Sequence, residues 1–404
     1  MKGATIMRIL LATDTYMPTI NGVVTSTVTL KESLIKQGHD VRVLTLGKTD
    51  AIDYENHIYT LSSFSLNKVY PGARVTLPAL ADRHVIKDIY EWQPEIIHTQ
   101  CEFSTFRIAC HIADVLNIPI VHTYHTVYED YTHYFSPNKT WGKKFVSYMT
   151  RRVLGATEAV IAPTEKVENL LHSYGVEQPI SVIPTGIFLD RFDQKLYKVE
   201  RSALRQKYNI PDDHFLLVTI GRIAKEKNID EIIDFLSEMN EEKVSFLIVG
   251  DGPYREDLEE KVAQSSVADR IHFTGMIDPA EVPNYYQLGD VFVSGSTSET
   301  QGLTYIEAMA SGLPALCHHD ASLSNVIIDN INGYQYRDFS EFKYQLELWM
   351  HDKKLRDTLA KNAYLTAHNR YSAEAFSSAV EKLYEQTLEI YASKQMNSPR
   401  IFLS

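Results

Sequence analysis

Apolar runs of strand length alternate along the chain with segments of helical period. RILLAT, DVRVLTL, IIHT, IPIVHT and EAVIAP read as strands in the first half, with helices such as VTSTVTLKESLIKQG, closed by Gly38, between them. A second series begins at FLLVTIGR and continues through VSFLIVG, RIHFTG, VFVSG and LPALC, again with helices interposed. Strand and helix in strict turn is the pattern of parallel βαβ units, not of a sandwich, so the predicted class is α/β.

The two series are separated near VIPTGIFLDRFDQ, where Pro184 and Gly186 end a strand and a charged segment runs on to Arg205. The break predicts a boundary near Leu189, with one Rossmann-like domain over residues 1–188 and a second over 189–372. The amphipathic pattern AFSSAVEKLYEQTLEIYASK, at about 373–395, comes after the second series is complete and is expected to cross back onto the first domain. A chain of 404 residues supports this division, because single cores stop growing near roughly 250–300 residues. Two such domains facing each other would turn the carboxyl ends of both sheets toward a central cleft, where open α/β sheets bind ligands. Chemistry is therefore expected on the loops that follow strands.

Charge and composition narrow the classes. A formal charge of -12 argues against a general attraction to nucleic acid or to an anionic membrane, so any such contact must be local. No stretch approaches the ~20 unbroken apolar residues of a membrane-spanning helix. Arg8 and Asp14 interrupt the first apolar run, which reads as a strand and not as a leader. Cys101, Cys110 and Cys317 are an odd set without metal-type spacing, which fits a reducing cytoplasm. No acidic metal cluster is apparent, the pair Asp212 and Asp213 reads as a turn, and no metal is expected. One local exception to the acidic balance is KTWGKKFVSYMTRRVLGAT, which carries Lys139, Lys143, Lys144, Arg151 and Arg152 and no acid.

In TIGRIAKEKNIDE the strand ends at Gly221, so Arg222 and Lys227 fall on the loop leaving its tip. They could bind a diphosphate, the arginine by planar pairing and the lysine as a mobile ammonium. A solvated turn in which Glu226 neutralises a neighbour explains the same residues. Farther on, VFVSG, STSETQG and LTYIEAMASG read as strand, polar loop and helix, with the helix starting near Gly302. A helix start presents unpartnered N–H groups and partial positive charge, which suits a phosphate. Glu299 precedes that start and Glu307 lies about one turn inside, so the spacing gives the two acids separate tasks. A surface Glu299 and a dipole-satisfying Glu307 remain the plainer alternative.

Taken in order, the GRxxxEKN loop and the E-x7-E loop and helix resemble the donor half of retaining, nucleotide-sugar-dependent glycosyltransferases of the two-Rossmann GT-B fold, in the large family numbered four. PTGIFLDRF looks like that family's hinge, VGDGP recurs after the second donor-domain strand, and NVIIDNINGY resembles its E-x-x-x-D-G-x-x-G segment, with Asn330 in place of the usual glycine. The resemblance implies that Arg222 and Lys227 bind the donor diphosphate, Glu307 the ribose hydroxyls and Glu299 the sugar hydroxyls. It implies further that the N–H groups of Gly302 and Leu303 meet phosphate and sugar oxygens. TYMPTINGVVTS is similar to the family's glycine loop after the first strand and places Gly22 against the phosphate, with Asn21 where a second glycine is usual. His125, in VHTYHT, matches the family's T-x-H-T pattern and is implied to touch donor sugar or phosphate, while His122 reads as core or as a support behind the site. Tyr128, Glu129, Asp130 and Tyr131 could line an acceptor channel or form a polar turn.

A glycosidase-like route needs a carboxylate nucleophile near the anomeric carbon, and neither half offers an obvious one. The resemblance implies same-face substitution without a required metal. Trp141, Phe145, Tyr148 and Met149 fall at i, i+4, i+7 and i+8 beside Lys143, Lys144, Arg151 and Arg152. That spacing is either ordinary core with a basic wet side or an interfacial helix on an anionic leaflet over about 139–155. TLSSFSLNKVYPGARVTLPAL, which has no acid, fits a loop near lipid or near the acceptor mouth. IIHTQCEFSTF and HTYHTVYEDYTHYF look like bacterial glycolipid synthases that move glucose from UDP-glucose to diacylglycerol. The expected protein is thus a peripheral enzyme on the inner face of the cell membrane, taking a nucleotide-sugar donor and a lipid acceptor. Other acceptors, a nucleotide-sugar epimerase of the same fold and a noncatalytic sugar-nucleotide binder are the alternatives.

Overall fold

The computed structural model describes residues 6–19, 21–65, 74–76, 83–125, 139–193, 196–239, 241–299 and 301–397. Tyr128 to Tyr131, most of the acid-free stretch around Val69 and the side chains of Lys139, Trp141 and Lys143 lie outside what is described. The chain forms two compact units, one of Met1–Ile187 with Ala373–Ser404 and one of Phe188–Ser372. Both are Rossmann-like α/β units.

Unit 1 runs β1 (Arg8–Ala12), α1 (Gly22–Lys36), β2 (Asp40–Gly47), β3 (Ala51–Asp53), β4 (Ile58–Ser62), β5 (Phe64–Ser65), β6 (Arg74–Val75) and α2 (His84–Trp92). It continues with β7 (Ile96–Thr99), α3 (Ser104–Leu116), β8 (Ile120–Thr123), α4 (Lys139–Leu154), β9 (Ala159–Ala162), α5 (Glu165–Ser173) and β10 (Ile180–Val182). The main sheet has the order β10-β9-β8-β7-β1-β2-β4-β3 and is parallel except where β3 turns back on β4. Strands β7, β8 and β9 are buried at every position. Helices cover both faces of such a sheet, which is why its strands are continuous apolar runs and were legible as such. β3, β5 and β6 are two or three residues long and lie outside the central strands, too short to leave a periodic signal.

Unit 2 runs α6 (Lys198–Lys207), β11 (Phe215–Ile220), α7 (Ile229–Met239), β12 (Val244–Val249), α8 (Arg255–Ala263), β13 (Ile271–Phe273) and α9 (Val282–Leu288). Then follow β14 (Val291–Ser294), α10 (Leu303–Ala310), β15 (Ala315–His318), β16 (Gly333–Tyr336), α11 (Phe339–His351) and α12 (Lys353–Arg370). All six strands are parallel, in the order β13-β12-β11-β14-β15-β16. The charged segment through Arg205 proves to be α6, whose Arg205 is buried and donates to the carbonyls of Pro211 and His214. Asn330, at the position where the family has glycine, takes a left-handed φ of 62°. Asparagine is one of the few side chains that tolerates this region, so the turn survives the exchange.

The last helix, α13 (Ala373–Asn397), returns to unit 1 and packs on α1. Phe376, Val380, Leu383 and Tyr384 share a buried cluster with Leu30 and Leu34 of α1 and with Ile9 and Leu11 of β1. Each such side chain is worth about 1.5–3 kcal/mol of burial. Polar ties fix the register: Gln37 donates to Ser377 at 3.0 Å, and His39 meets Glu381 at 3.1 Å.

Strand order locates the sites. In each sheet the chain builds outward in both directions from its first strand, so the order reverses beside β1 and beside β11. Helices leave opposite faces at that point, and a crevice opens at the carboxyl ends of the two neighbouring strands. In unit 1 these neighbours are β1 and β7; in unit 2 they are β11 and β14.

Candidate active site

In unit 2, β11 pairs with β14 through Leu217 with Val291 and Val218 with Phe292, so the loops that follow the two strands emerge side by side. The first loop, from Gly221, passes through a turn at Lys225–Lys227 and a left-handed Asn228 (φ 49°) into α7. The second ends at Gly302, which opens α10. Lys227 Nζ donates to Glu299 Oε1 at 2.6 Å, and Asn228 Nδ2 donates to the Gly295 carbonyl at 3.3 Å. Two expected site residues from distant parts of the chain are therefore in direct contact. Arg222 is paired with Glu226, the partner that the solvated-turn alternative requires. The lysine and the arginine thus each hold a carboxylate that a diphosphate could replace, since phosphate offers the same acceptor chemistry with more charge.

Gly302 has φ 76°, and a Cβ there would lie 2.7 Å from the Tyr305 ring and 3.0 Å from Leu323. The N-cap of α10 is Gly302 itself, which has no side chain to occupy the helix's first N–H groups, the position expected to take an oxyanion. Leu303 is the first residue of that helix. VGDGP has a packing reason as well: a Cβ on Gly250 would fall within 2.0 Å of the Gly221 carbonyl, so glycine lets the loops after β11 and β12 touch. Glu299 is buried, and its N–H donates to Asp320 at 3.3 Å.

Glu307 does not share Glu299's partner. Its Oε1 accepts from Arg191 at 3.0 Å, and its Oε2 accepts from the Tyr286 hydroxyl at 3.0 Å. Burial pushes its carboxyl pKa up, against the lowering effects of Arg191 and Tyr286. The two glutamates of E-x7-E face different groups. Neither Arg191 nor Tyr286 was legible as a partner, because the contacts span 116 and 21 positions and join different elements.

In unit 1, Gly22 begins α1 and Asn21 caps it, accepting from Val24 N at 2.9 Å. The asparagine that stands for a second glycine thus takes one of the helix's free donors for itself. His125 Nε2 lies 2.7 Å from Gln100 Oε1 just beyond β7, and burial lowers its pKa to about 4. It is a neutral imidazole at physiological pH. His122 is buried, 2.8 Å from Thr99 and 3.5 Å from Glu102, in keeping with its reading as core. His98 bridges Tyr384 of α13 at 2.6 Å and Thr123 at 2.7 Å, and burial holds its pKa well below the usual value. Asp14, at the tip of β1, accepts from Thr105 N at 2.8 Å and is raised by burial to about 6. Asp14 and Gln100 were missed; their signal was position alone, directly after the two neighbouring strands.

On helix α4 the described residues of the apolar stripe, which exclude the side chain of Trp141, lie on the outward face. Val146, Thr150 and Leu154 face inward, whereas Phe145 (59% exposed), Tyr148 (50%) and Met149 (37%) face outward beside exposed Lys144, Arg151 and Arg152. Among the described residues, no cluster of His, Cys, Asp or Glu is placed to hold a metal ion, and no helix is long and apolar enough to cross a membrane.

Comparison with known proteins agrees with this geometry. Residues 20–191 match the family described as Glycosyltransferase Family 4, and residues 200–366 match Glycosyl transferases group 1. The α-monoglucosyldiacylglycerol synthase of Streptococcus pneumoniae is 42% identical over 82% of this chain and 75% of its own length. The enzyme of the same name from Acholeplasma laidlawii is 32% identical over 94% of this chain and 96% of its own. Among solved structures, HepE of Anabaena, crystallised with UDP, superposes with a TM-score of 0.74 at 17% identity, covering 94% of this chain and all of that one, a likeness of fold. The chain belongs to the GT-B glycosyltransferases of family 4, as a nucleotide-sugar-dependent enzyme closely related to the bacterial α-monoglucosyldiacylglycerol synthases.

Proposed function

We propose that the protein transfers glucose from UDP-glucose to 1,2-diacylglycerol, with retention of configuration, to give α-monoglucosyldiacylglycerol at the inner face of the cell membrane. The observation that carries this reading is the contact between the β11 and β14 loops, which joins Lys227 to Glu299 beside the glycine-started helix α10, in a chain whose relatives bear that enzyme's name. Arg222, Lys227 and the N–H groups of Gly302 and Leu303 take the diphosphate. Glu307 takes the ribose hydroxyls and Glu299 the glucose hydroxyls, and the family resemblance gives Gly22 and His125 the donor's phosphate and sugar.

The anomeric C–O bond to the β-phosphate breaks as the acceptor hydroxyl oxygen bonds to the same face of the carbon. The hydroxyl proton passes to the departing phosphate oxygen, so UDP leaves with the charge and proton balanced. Arg222, Lys227 and the helix terminus stabilise the negative charge as it grows on that leaving group. The neutral state of His125 suits it to hydrogen-bond a sugar hydroxyl without adding charge. The outward stripe of α4, with Phe145, Tyr148 and Met149 among Lys144, Arg151 and Arg152, supports a peripheral contact with anionic lipid over about 139–155.

The test supplies radiolabelled UDP-glucose, UDP-galactose or GDP-mannose to diacylglycerol vesicles and reads labelled lipid by chromatography and anomeric configuration by NMR. Labelled α-glucolipid from UDP-glucose alone is the expected result. Absence of lipid product from every donor sinks the acceptor assignment. In the same vesicles, Lys144→Glu with Arg152→Glu should weaken binding by about fivefold per charge, from ~1 kcal/mol for each basic residue near an anionic surface. Equal loss with a soluble acceptor would remove α4 from the membrane contact.

A further inference from the structure

We infer that Arg191 is a positioning residue for the donor nucleotide: together with Tyr286 it clamps the Glu307 carboxylate in the one orientation that presents two free lone pairs to a ribose cis-diol. The inference rests on the assignment of Glu307 to the ribose and names the parts that make it selective. A carboxylate offers about four acceptor sites, two on each oxygen. Arg191 occupies one on Oε1 and Tyr286 one on Oε2, each at 3.0 Å. One acceptor site on each oxygen is left, side by side, which is the complement of two neighbouring hydroxyl donors.

The clamp is anchored. The Arg191 guanidinium lies over the Phe192 ring at 4.6 Å, Phe192 packs edge-on against Tyr286 at 6.2 Å, and Tyr286 packs against Phe292 of β14 at 6.0 Å. Phe192, Tyr286 and Phe292 are buried. The Tyr286 hydroxyl has a single proton and two acceptors in reach, Glu307 at 3.0 Å and the Thr304 carbonyl at 3.2 Å. The carboxylate is the shorter and charge-assisted choice. Burial beside Glu307 pushes the phenol well above its usual pKa, so it remains a donor.

Charge adds a second consequence. Arg191 and Tyr286 are the charged and titratable groups that face the Glu307 carboxylate. Burial raises this carboxyl, and Arg191 is the main opposing influence, so loss of the arginine moves its titration farther up in pH. Protonation then turns one acceptor into a donor and spoils the match to the diol.

The experiment measures binding of UDP and of 2′,3′-dideoxyuridine diphosphate by calorimetry at pH 6 and pH 8, for the wild type, Arg191→Met, Arg191→Lys and Tyr286→Phe. The wild type should prefer UDP by roughly 10- to 100-fold, the range for buried groups left unpaired. Arg191→Met should reduce the preference to within about threefold and regain part of it as pH rises. Arg191→Lys should keep more of it, and Tyr286→Phe, which retains the ring packing, should fall between. If Arg191→Met weakens both ligands equally with the preference intact, the arginine merely pins its own segment and the inference is overturned. A wild type without any preference would instead overturn the ribose role of Glu307 and the clamp with it.

Discussion

The two switch points use opposite electrostatics. At the carboxyl ends of β11 and β14 the side chains are charged and already paired: Arg222 with Glu226, Lys227 with Glu299, Arg191 with Glu307. Around the carboxyl ends of β1, β7 and β8 the titratable groups are buried and shifted toward neutrality, with His98 and His125 held neutral and Asp14 raised to about 6. A site for a polyanion has to keep cations in the absence of ligand, and pairing them with carboxylates does so without fixing them. The Arg222–Glu226 pair is 57% and 38% exposed, a setting in which such pairs contribute about 0–1 kcal/mol, so a phosphate displaces the acid at small cost.

The sharpest way to break this contrast is Lys227→Ala. It should lower turnover by roughly 10²–10³, the scale for removing one stabilising group from a developing oxyanion. Its far-UV circular dichroism should show the fold intact while its melting temperature falls, because the buried Glu299 loses its cation. A loss below tenfold in the glucosyl-transfer assay would mean that the charges of unit 2 are structural. Gly302→Ala comes next. The φ of 76° and the 2.7 Å approach to Tyr305 should cost about 1–3 kcal/mol in urea unfolding, with a matching loss of donor affinity. A variant of wild-type stability would show that the start of α10 can relax away from its tight geometry.

The smallest effect sharpens the other half. His125 has a folded pKa near 4 against an ordinary 6.5, so the folded state binds fewer protons than the unfolded one between those values. Stability from this group is present above pH 6.5 and is lost as pH falls toward 4. Asp14 works in the opposite sense: raised from 3.8 to about 6, it favours folding at low pH and gives that up as pH rises through 6. His125→Asn should therefore flatten the loss between pH 6.5 and 4.5 by about 2 kcal/mol, read from melts across that range. An unchanged slope would mean that the imidazole is solvated and charged like any surface histidine.

What could be read in advance follows from how local each signal is. The central strands were legible because parallel burial writes continuous apolar runs, and the loops of unit 2 because Gly221 and Gly302 punctuate them directly after a strand. The return of α13 to unit 1 was legible as an amphipathic helix left over after the second series. Contacts between distant segments were not. The sequence placed Lys227 and Glu299 in one pocket without indicating that they bond to each other, and nothing linked Arg191 or Tyr286 to Glu307. The α4 stripe had the right spacing for core and for surface alike; only the burial of Val146 and Leu154 on the opposite side decides it. β16 went unread because GYQY carries polar positions in a strand that pairs with β15 alone.

The seating of α13 on α1, with Tyr384 bonded to His98, sets an order of events on the ribosome. The unit that holds residues 1–187 emerges first yet lacks a wall of its core until α13 has been made, whereas residues 188–372 contain all of their own strands and can close earlier. The half that is translated second is thus the half able to finish first, and a nascent chain stalled before Ala373 would hold the apolar faces of α1 and β1 open to chaperones.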